Sequence, residues 1–273
     1  MSLELTRRFG IAERKGAPTP GHRQFGVPTG GAFDRESLAT ANALVGNDPN
    51  QEAWELGMAQ ARFRATETGV VSIVGATAIV MTDLESFECG VAFSIRGGQE
   101  FTVEAPSIGA RVYIAWSRIE KPPTWRVRLH DSPTSVTNRG SLRVVAGPQS
   151  DRFPADALVT SFGVSQTADR VGIRLDRSIG AHSVELPSEP QCVGTIQISR
   201  DGIPILIGPD GPTIGGYPKI GVVISSDIDR VGQLRPTDVV RFQPCTLTEA
   251  AEINRNAREG AERALGLLRL ALT

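Results

Sequence analysis

Short stretches in which apolar and polar residues alternate recur along most of the chain, and they predict strands. In the first half these stretches come about every 8 to 12 residues, separated by glycine, proline and serine, which is typical of a barrel or a sandwich. The clearest one alternates Trp125, Val127 and Leu129 with two arginines, and it predicts a strand with one buried face. The predicted strands of this half are 5–11, 70–74, 78–81, 91–95, 101–104, 112–116 and 125–129.

A second block of strand patterns begins at residue 142, and no helical crossovers separate its strands. The predicted strands are 142–146, 161–164, 171–175, 184–186, 193–199, 203–207, 220–225 and 239–243. Each block has enough apolar residues for a core of its own. The pattern therefore predicts a mainly β chain of two domains, residues 1–145 and 146–273, without a flexible linker between them.

Helical patterns are few. Asp34 is a predicted N-cap for a helix that stops at Gly46. Residues 151–158 predict a short helix, and Asp227 predicts the cap of another. From Thr246, where Thr-Leu-Thr-Glu forms a capping box, apolar residues keep a helical period and predict a long amphipathic C-terminal helix.

Composition narrows the function classes. With 29 basic and 30 acidic residues the net charge is −1, so no overall field favours nucleic acid or an anionic membrane. The sequence has no apolar run of about 18 residues and no secretory leader pattern, which predicts a soluble, cytoplasmic protein. The three cysteines and three histidines are scattered without ligand spacing, so neither a disulfide framework nor a metal site is predicted.

The segment 208–220 is the strongest candidate for a site. It reads Gly-Pro-Asp-Gly-Pro-Thr-Ile-Gly-Gly-Tyr-Pro-Lys-Ile between two predicted strands. Its three prolines fix φ, and Gly211, Gly215 and Gly216 permit positive φ and close approach of the backbone to a ligand. Tyr217 and Lys219 stand at its end, and Lys219 is one of only three lysines.

An alternative interpretation of this segment stays open. Glycine and proline are common in tight turns, and Lys219 of such a turn would point into water. The segment is not a P-loop, because isoleucine rather than serine or threonine follows the lysine.

The loop and its surroundings resemble the KipA-type family. This family includes the C-type subunit of bacterial 5-oxoprolinase, also described as allophanate hydrolase subunit 2, and the second half of the carboxyltransferase domain of urea amidolyase. The resemblance extends over about two-thirds of the chain in the family's order. It rests on Gly-Gly-Tyr-Pro-Lys at 215–219, Gly-Pro-Gln at 147–149, Gly-Thr-Ile-Gln-Ile at 194–198, and the segments 26–35, 41–47, 164–166, 169–175, 233–236 and 240–242.

The resemblance implies a mainly β fold of two cyclophilin-like β-barrel domains, with a few helices and a C-terminal helix. One segment departs from it: residues 113–123 stand where the family has a glycine-rich apolar segment followed by Gly-Ser-Arg. The first domain therefore looks reduced relative to the family.

The resemblance also implies the site residues. Catalytic roles fall to Lys219, Tyr217, Asp169 and Arg170, and substrate binding falls to Gly215, Gly216, Gln197, Asp34, Arg35 and Ser165. Alternatives stay open for several of them. Asp34 and Arg35 suit an ordinary helix start, Asp169 and Arg170 suit a surface ion pair, and Gln197 is solvated unless its face lines a cavity.

The function that the resemblance implies is that of one component of an ATP-dependent 5-oxoprolinase, a hydrolase that opens a cyclic amide. The implied partners are a KipI-like B-type subunit and a third subunit. ATP with Mg²⁺ would be bound through the complex, and no metal or prosthetic group would be bound otherwise. Two alternatives stay open: a carboxyltransferase-like component of a urea carboxylase and allophanate system, or a non-catalytic regulator that binds a KipI-type kinase inhibitor.

Overall fold

The computed structural model of the protein describes residues 3–118, 127–129, 140–182 and 186–271. The fold is mainly β with two barrel-like sheets, as predicted. Part of the predicted strands 125–129 and 184–186 lies outside the described residues, as does the departing segment after residue 118.

The chain divides into two compact units. The first comprises Met1–Ala17, Asp34–Val136 and Ala261–Thr273, and the second comprises Pro18–Phe33 and Thr137–Gly260. The ranges 1–145 and 146–273 stay a prediction, because each unit takes segments from more than one part of the chain.

The first unit is built on one large sheet. Its strands are β1 Leu3–Lys15, β2 Ala53–Ala65, β3 Gly69–Thr77, β4 Ile79–Thr82, β5 Ser86–Glu88, β6 Val91–Ile95, β7 Glu100–Val103, β8 Ile108–Arg118 and β9 Val127–Arg128. They follow the order β5-β4-β7-β2-β8-β3-β6-β9, and β1 pairs with β2. The inward residues are aromatic and branched, including Phe63, Phe101, Leu56 and Ile73, and they form one continuous core.

The second unit repeats this design. Its strands are β10 Leu142–Ala146, β11 Phe162–Ala168, β12 Gly172–Leu175, β13 Glu189–Pro190, β14 Thr195–Ile198, β15 Pro204–Ile207, β16 Ile214–Gly215, β17 Lys219–Val223, β18 Val239–Val240 and β19 Phe242–Pro244. The sheet order is β18-β11-β12-β15-β14-β17-β10-β19, while β13 and β16 form a separate two-stranded ribbon. Phe162, Ile173, Ile196 and Leu206 fill the core.

Three α-helices occur in the described residues: α1 Arg35–Leu44, α2 Ile228–Gly232 and α3 Leu247–Ala271. None of them is long and apolar enough to cross a membrane. The predicted caps of α1 and α3 are confirmed, since Asp34 accepts from the N–H of Ser37, and Thr246 and Glu249 form the reciprocal capping box.

Two helix predictions were wrong. Residues 151–158 form only a 3-10 turn at Ser150–Arg152, followed by further turns. Asp227 does not cap α2 with its side chain. Its carboxylate instead accepts from the backbone N–H and the guanidinium of Arg143 in β10, because a buried carboxylate is stabilised more by a guanidinium than by one amide.

Candidate functional site

Lys219 is the first residue of β17, and its side chain lies under the preceding loop. Only 4% of that side chain is exposed. The ammonium group donates to the carbonyl oxygen of Gly215 at 3.0 Å, and it lies 3.4 Å from both the carbonyl oxygen of Tyr217 and Oε2 of Glu189. A buried ammonium needs such partners, because burial of an unpaired charge is strongly unfavourable. The structure therefore excludes a turn with Lys219 pointing into water.

Gln149 joins Lys219 to Glu189. Its side-chain oxygen accepts from the backbone N–H of Lys219 at 2.9 Å, and its side-chain nitrogen donates to Oε2 of Glu189 at 3.1 Å. The turn that carries Gln149 requires Gly147, since a Cβ there would lie 2.2 Å from the carbonyl oxygen of Lys219. The Glu189 side chain is 37% exposed and forms the open side of this arrangement.

Two more amide side chains lie beside it. Gln197 in β14 is the register partner of Lys219 in β17. Gln191 donates its Nε2 to the carbonyl oxygen of Pro212 at 2.9 Å, so its Oε1 is left as an acceptor. That Oε1 and Nε2 of Gln197 are buried and have no hydrogen-bond partner among the residues described. An unpaired buried polar group costs about 1–3 kcal/mol, so each of the two atoms needs a partner.

The two unpaired atoms converge on Gly215. A Cβ on this glycine would lie 2.4 Å from Nε2 of Gln197 and 3.1 Å from Oε1 of Gln191. Gly215 belongs to β16, which is held by two residue pairs to β13. We call Lys219, Glu189, Gln149, Gln191 and Gln197 the Lys219 cluster. A short ribbon thus covers an ammonium, a carboxylate and two amide atoms that lack partners.

The expectation of positive φ in this loop was wrong. Gly211, Gly215 and Gly216 do not occur among the glycines with positive φ. Close packing explains two of them instead, because a Cβ on Gly211 would lie 2.6 Å from Cγ2 of Ile207 and one on Gly215 would meet the amides described above.

Arg170 anchors the start of the same loop. Its guanidinium donates to both carboxylate oxygens of Asp210, at 2.7 and 2.9 Å, and to the carbonyl oxygen of Gly31 at 2.6 Å. Arg170 is 7% exposed, so it is not the surface ion pair of the alternative interpretation. The neighbouring Asp169 is exposed, and its carboxylate accepts from the backbone N–H groups of Val171 and Gly172. Both side chains hold backbone in place.

The other predicted residues are dispersed. Tyr217 is 41% exposed, and its carbonyl oxygen is the part that meets Lys219. Ser165 in β11 bonds to the hydroxyl of Thr167. Gly216 follows β16, with the carbonyl oxygen of Leu186 nearby. The structure thus brings Gly215, Tyr217, Gln197 and Lys219 together, whereas the remaining predicted residues contact other partners.

Asp34 and Arg35 belong to the first unit. Asp34 is fully buried as the N-cap of α1, and Arg35 is exposed. The backbone N–H of Asp34 donates to the hydroxyl of Tyr113, which donates to Glu55 at 2.6 Å. Burial, and next the negative charge of Glu55, raise the pKa of Tyr113 well above its ordinary value. This arrangement stabilises the helix start, as the structural interpretation of Asp34 expects.

Sequence reasoning missed Gln149, Glu189 and Gln191 as members of the site. Gln149 was recognisable, because it lies in the Gly-Pro-Gln motif at 147–149. Glu189 and Gln191 lie in a stretch without any motif, and only the pairing of β13 with β16 brings them to Lys219. In the ranges that the structure describes, no group of three or more His, Cys, Asp or Glu side chains is placed to hold a metal ion.

Comparison with known families decides the relationship. The carboxyltransferase domain family, subdomains A and B, matches residues 25–119 and 117–244. The chain belongs to this family. Two motifs that carry parts of the Lys219 cluster, at 147–149 and 215–219, both fall within the matched residues.

Similar proteins are of the same kind. The chain is 28% identical to the 5-oxoprolinase C subunit of Escherichia coli over 269 residues, covering 84% of this chain and 87% of that one. It superposes on the crystal structure of the K. lactis urea amidolyase with a TM-score of 0.83 and 18% identity, over 96% of this chain and 20% of that one. For the crystal structure of TTHA0988 the TM-score is 0.78 at 22% identity, over 89% of this chain and 55% of that one. The chain therefore spans about half or less of these two solved proteins, and both support the fold.

Proposed function

We propose that the chain is one component of an ATP-dependent enzyme of the 5-oxoprolinase type, and that the Lys219 cluster binds the amide of a small lactam. The observation that carries this proposal is the pair of unpaired atoms in Gln191 and Gln197. A lactam presents one N–H donor and one carbonyl acceptor, and these are the complements of an acceptor oxygen and a donor nitrogen. The relative named as a C subunit of 5-oxoprolinase supports the same direction.

Each member of the cluster has a role in this proposal. Nε2 of Gln197 donates to the lactam carbonyl, and Oε1 of Gln191 accepts from the lactam N–H. The ammonium of Lys219 stabilises the negative charge that develops on the carbonyl oxygen, since a fixed cation away from water acts strongly on such charge. Glu189 and Gln149 keep the ammonium in place.

Substrate entry requires the ribbon to open. Gly215 covers both unpaired atoms, and β16 is joined to β13 by two residue pairs. Separation of so short a ribbon requires little free energy compared with opening the main sheet. The open ribbon would expose Gln191, Gln197 and Lys219 together.

The remaining parts of the proposal concern the assembly. Partners are a KipI-like B-type subunit and a third subunit, and the complex as a whole binds ATP with Mg²⁺ in the cytoplasm. This chain supplies no P-loop in its sequence, so the phosphate-binding groups come from the assembled enzyme.

A second candidate is a carboxyltransferase-like component of a urea carboxylase. The family match and the superposition on a urea amidolyase favour it. The same cluster suits this reaction, because urea also presents N–H donors and a carbonyl acceptor. A role as a non-catalytic regulator has no comparable observation in its favour.

Turnover by the assembled enzyme separates the candidates. The chain would be co-expressed with KipI-like and third-subunit chains of the same genome, and glutamate and ADP would be measured with 5-oxoproline or urea as substrate. ATP-dependent glutamate formation from 5-oxoproline supports the first candidate. ATP-dependent carboxylation of urea, after addition of a biotin carboxylase and its carrier, supports the second. Absence of both activities in a stable complex contradicts an enzymatic role.

A further inference from the structure

A cavity of about 350 Å³ lies in the first unit, and neither the family match nor the proposed reaction assigns it a role. Its walls come from both ends of β1, the connection between α1 and β2, and the end of β8. They include Leu3, Arg14, Asn47, Trp54, Trp116 and Arg118. Pockets that hold small molecules begin at about this size.

Two tryptophans form the flat part of the wall. Trp54 in β2 pairs with Ile114 in β8, and Trp116 follows Ile114 by two residues. Because side chains alternate along a strand and register partners share a face, both indoles lie on the same face of the sheet. Their position suits a planar ligand, since aromatic rings contribute large apolar contact area and prefer offset stacking.

Both indole N–H groups lack a hydrogen-bond acceptor among the described residues. They are covered by protein atoms, and the nitrogen of Trp116 would lie 2.7 Å from a Cβ on Gly69, so glycine is needed there. A buried tryptophan usually finds an acceptor for its N–H. Two unpaired donors in one pocket wall therefore favour an occupant that carries acceptor oxygens, reached by a small tilt of an indole.

The charged groups of the lining are mainly positive. The guanidinium of Arg14 lies over the ring of Trp54, 5.8 Å from the centroid, and its Nε lies 3.7 Å from Glu52. Arg118 pairs with Glu67 at 3.5 Å, and its side chain is 72% exposed. An exposed pair of this kind is weak and is readily exchanged for a ligand carboxylate. Two guanidiniums face one carboxylate, Glu52, in the lining.

We propose that this pocket binds a small planar aromatic or heteroaromatic carboxylate, with its ring against Trp54 and Trp116 and its carboxylate at Arg14 and Arg118. Arginine suits this role because its planar fork can meet both carboxylate oxygens. Trp116 and Arg118 lie in the segment 113–123 where the sequence departs from the family, so the ligand is specific to chains with this segment.

Nuclear magnetic resonance of the full chain tests the proposal, with nicotinate as the probe and nicotinamide as its uncharged counterpart. The chain has three tryptophans, and two of them line the pocket, so indole N–H signals assigned by Trp54→Phe and Trp116→Phe report the site directly. We expect nicotinate to shift both signals in a saturable way and to bind at least about 10-fold more tightly than nicotinamide, the size of one charge-assisted hydrogen bond. Arg118→Gln should weaken nicotinate binding by about 5-fold or more.

Arg64→Gln is the matched control, since Arg64 is an exposed arginine of the same sheet that pairs with Glu100 and does not line the pocket. It should leave nicotinate binding unchanged. The proposal is overturned if neither indole signal shifts, if nicotinamide binds as tightly as nicotinate, or if Arg64→Gln weakens binding as much as Arg118→Gln does.

Discussion

The buried ammonium of Lys219 and the two amides next to it are the residues on which the proposed site depends. Lys219 has three oxygen partners within 3.4 Å, so its position is fixed before any substrate arrives. Gln191 and Gln197 each keep one buried atom without a partner, which is unfavourable in a fold alone. A site that gives up stability in this way is prepared for a ligand with matching groups.

Gln197→Leu tests the amide directly. Leucine keeps most of the volume and removes the donor, so folding should be preserved or improved, because an unpaired buried donor is lost. If Nε2 meets the substrate carbonyl, kcat/KM of the assembled enzyme for 5-oxoproline should fall about 100-fold. Gln243→Leu in β19 is the matched control, since Gln243 is exposed. Equal activity of the two variants would remove Gln197 from substrate binding.

Tyr113 provides a residue-scale test in the first unit. Its pKa is raised by burial, so the hydroxyl stays protonated in the folded chain above pH 10, where an unfolded tyrosine ionises. The folded state then binds more protons than the unfolded state, and stability falls as the pH rises above about 10. Tyr113→Phe should lower the free energy of unfolding at pH 7 by about 1–3 kcal/mol and reduce this alkaline loss. Urea unfolding at pH 7 and pH 11 measures both, and an unchanged alkaline loss in the variant would contradict the assignment.

At the residue scale, sequence indicated the motif but not the environment of Lys219. The glycines and prolines at 208–220 marked the loop, and they were legible because turn chemistry is local. Glu189 lies 30 residues before Lys219, and no local pattern shows that these two side chains meet. Positive φ was expected for glycines whose actual requirement is close packing, a distinction that depends on neighbours distant in the chain.

Among the elements, the link between β10 and α2 carries a buried charge pair. Asp227 is 1% exposed on its side chain and accepts from Arg143 through the backbone N–H at 2.7 Å and through the guanidinium. Hydrogen bonding to Asp227 raises the pKa of Arg143. The pair fixes the end of the barrel at which α2 begins.

Asp227→Ala should therefore destabilise the second unit by about 2–3 kcal/mol, because it leaves a guanidinium and an amide without their acceptor. Thermal or urea unfolding measures this loss. Asp201→Ala is the control: Asp201 makes an exposed pair with Arg174, and its loss should change stability little. Equal effects of the two substitutions would show that Asp227 acts only as a surface charge.

Elements with a strong local signal were predicted well. The capping box at Thr246 marked the start of α3, and Asp34 marked α1, because both caps use side chains within three residues. β2 was missed, although it pairs with β1, β7 and β8. Its sequence Ala-Trp-Glu-Leu-Gly-Met-Ala-Gln-Ala-Arg-Phe-Arg-Ala contains a glycine and several alanines, so its strand character comes from the neighbours that it joins.

For the whole molecule, the alternating pattern was enough to predict a mainly β chain with two barrel-like sheets. The division into units was harder to predict. Residues 18–33 join the second unit and residues 261–273 the first, and such exchange leaves no mark in composition. The relative named as a subunit, and the longer solved relatives, favour a chain that works within a larger assembly.

The isolated chain should therefore show no ATP-dependent opening of 5-oxoproline above background, while the co-expressed complex should be active. Size-exclusion chromatography followed by glutamate assay of each peak measures this. Co-elution of the three chains with activity in that peak is the expected result. Robust turnover by the isolated chain, or separate elution at micromolar concentration, would contradict the proposed assembly.

Lys219→Ala in the assembled enzyme is the most direct test of the proposed site. Because Lys219 is buried and bonded, the variant should lose about 1–3 kcal/mol of stability, so rates must be taken well below its unfolding midpoint. Lys15→Ala is the control, since Lys15 is paired with Glu13 in β1. We expect kcat for 5-oxoproline opening to fall about 100-fold or more in Lys219→Ala, to recover poorly in Lys219→Arg, and to stay unchanged in Lys15→Ala. A folded Lys219→Ala complex with kcat within about threefold of the unsubstituted enzyme would show that Lys219 only supports the loop, and the Lys219 cluster would not be the site of the reaction.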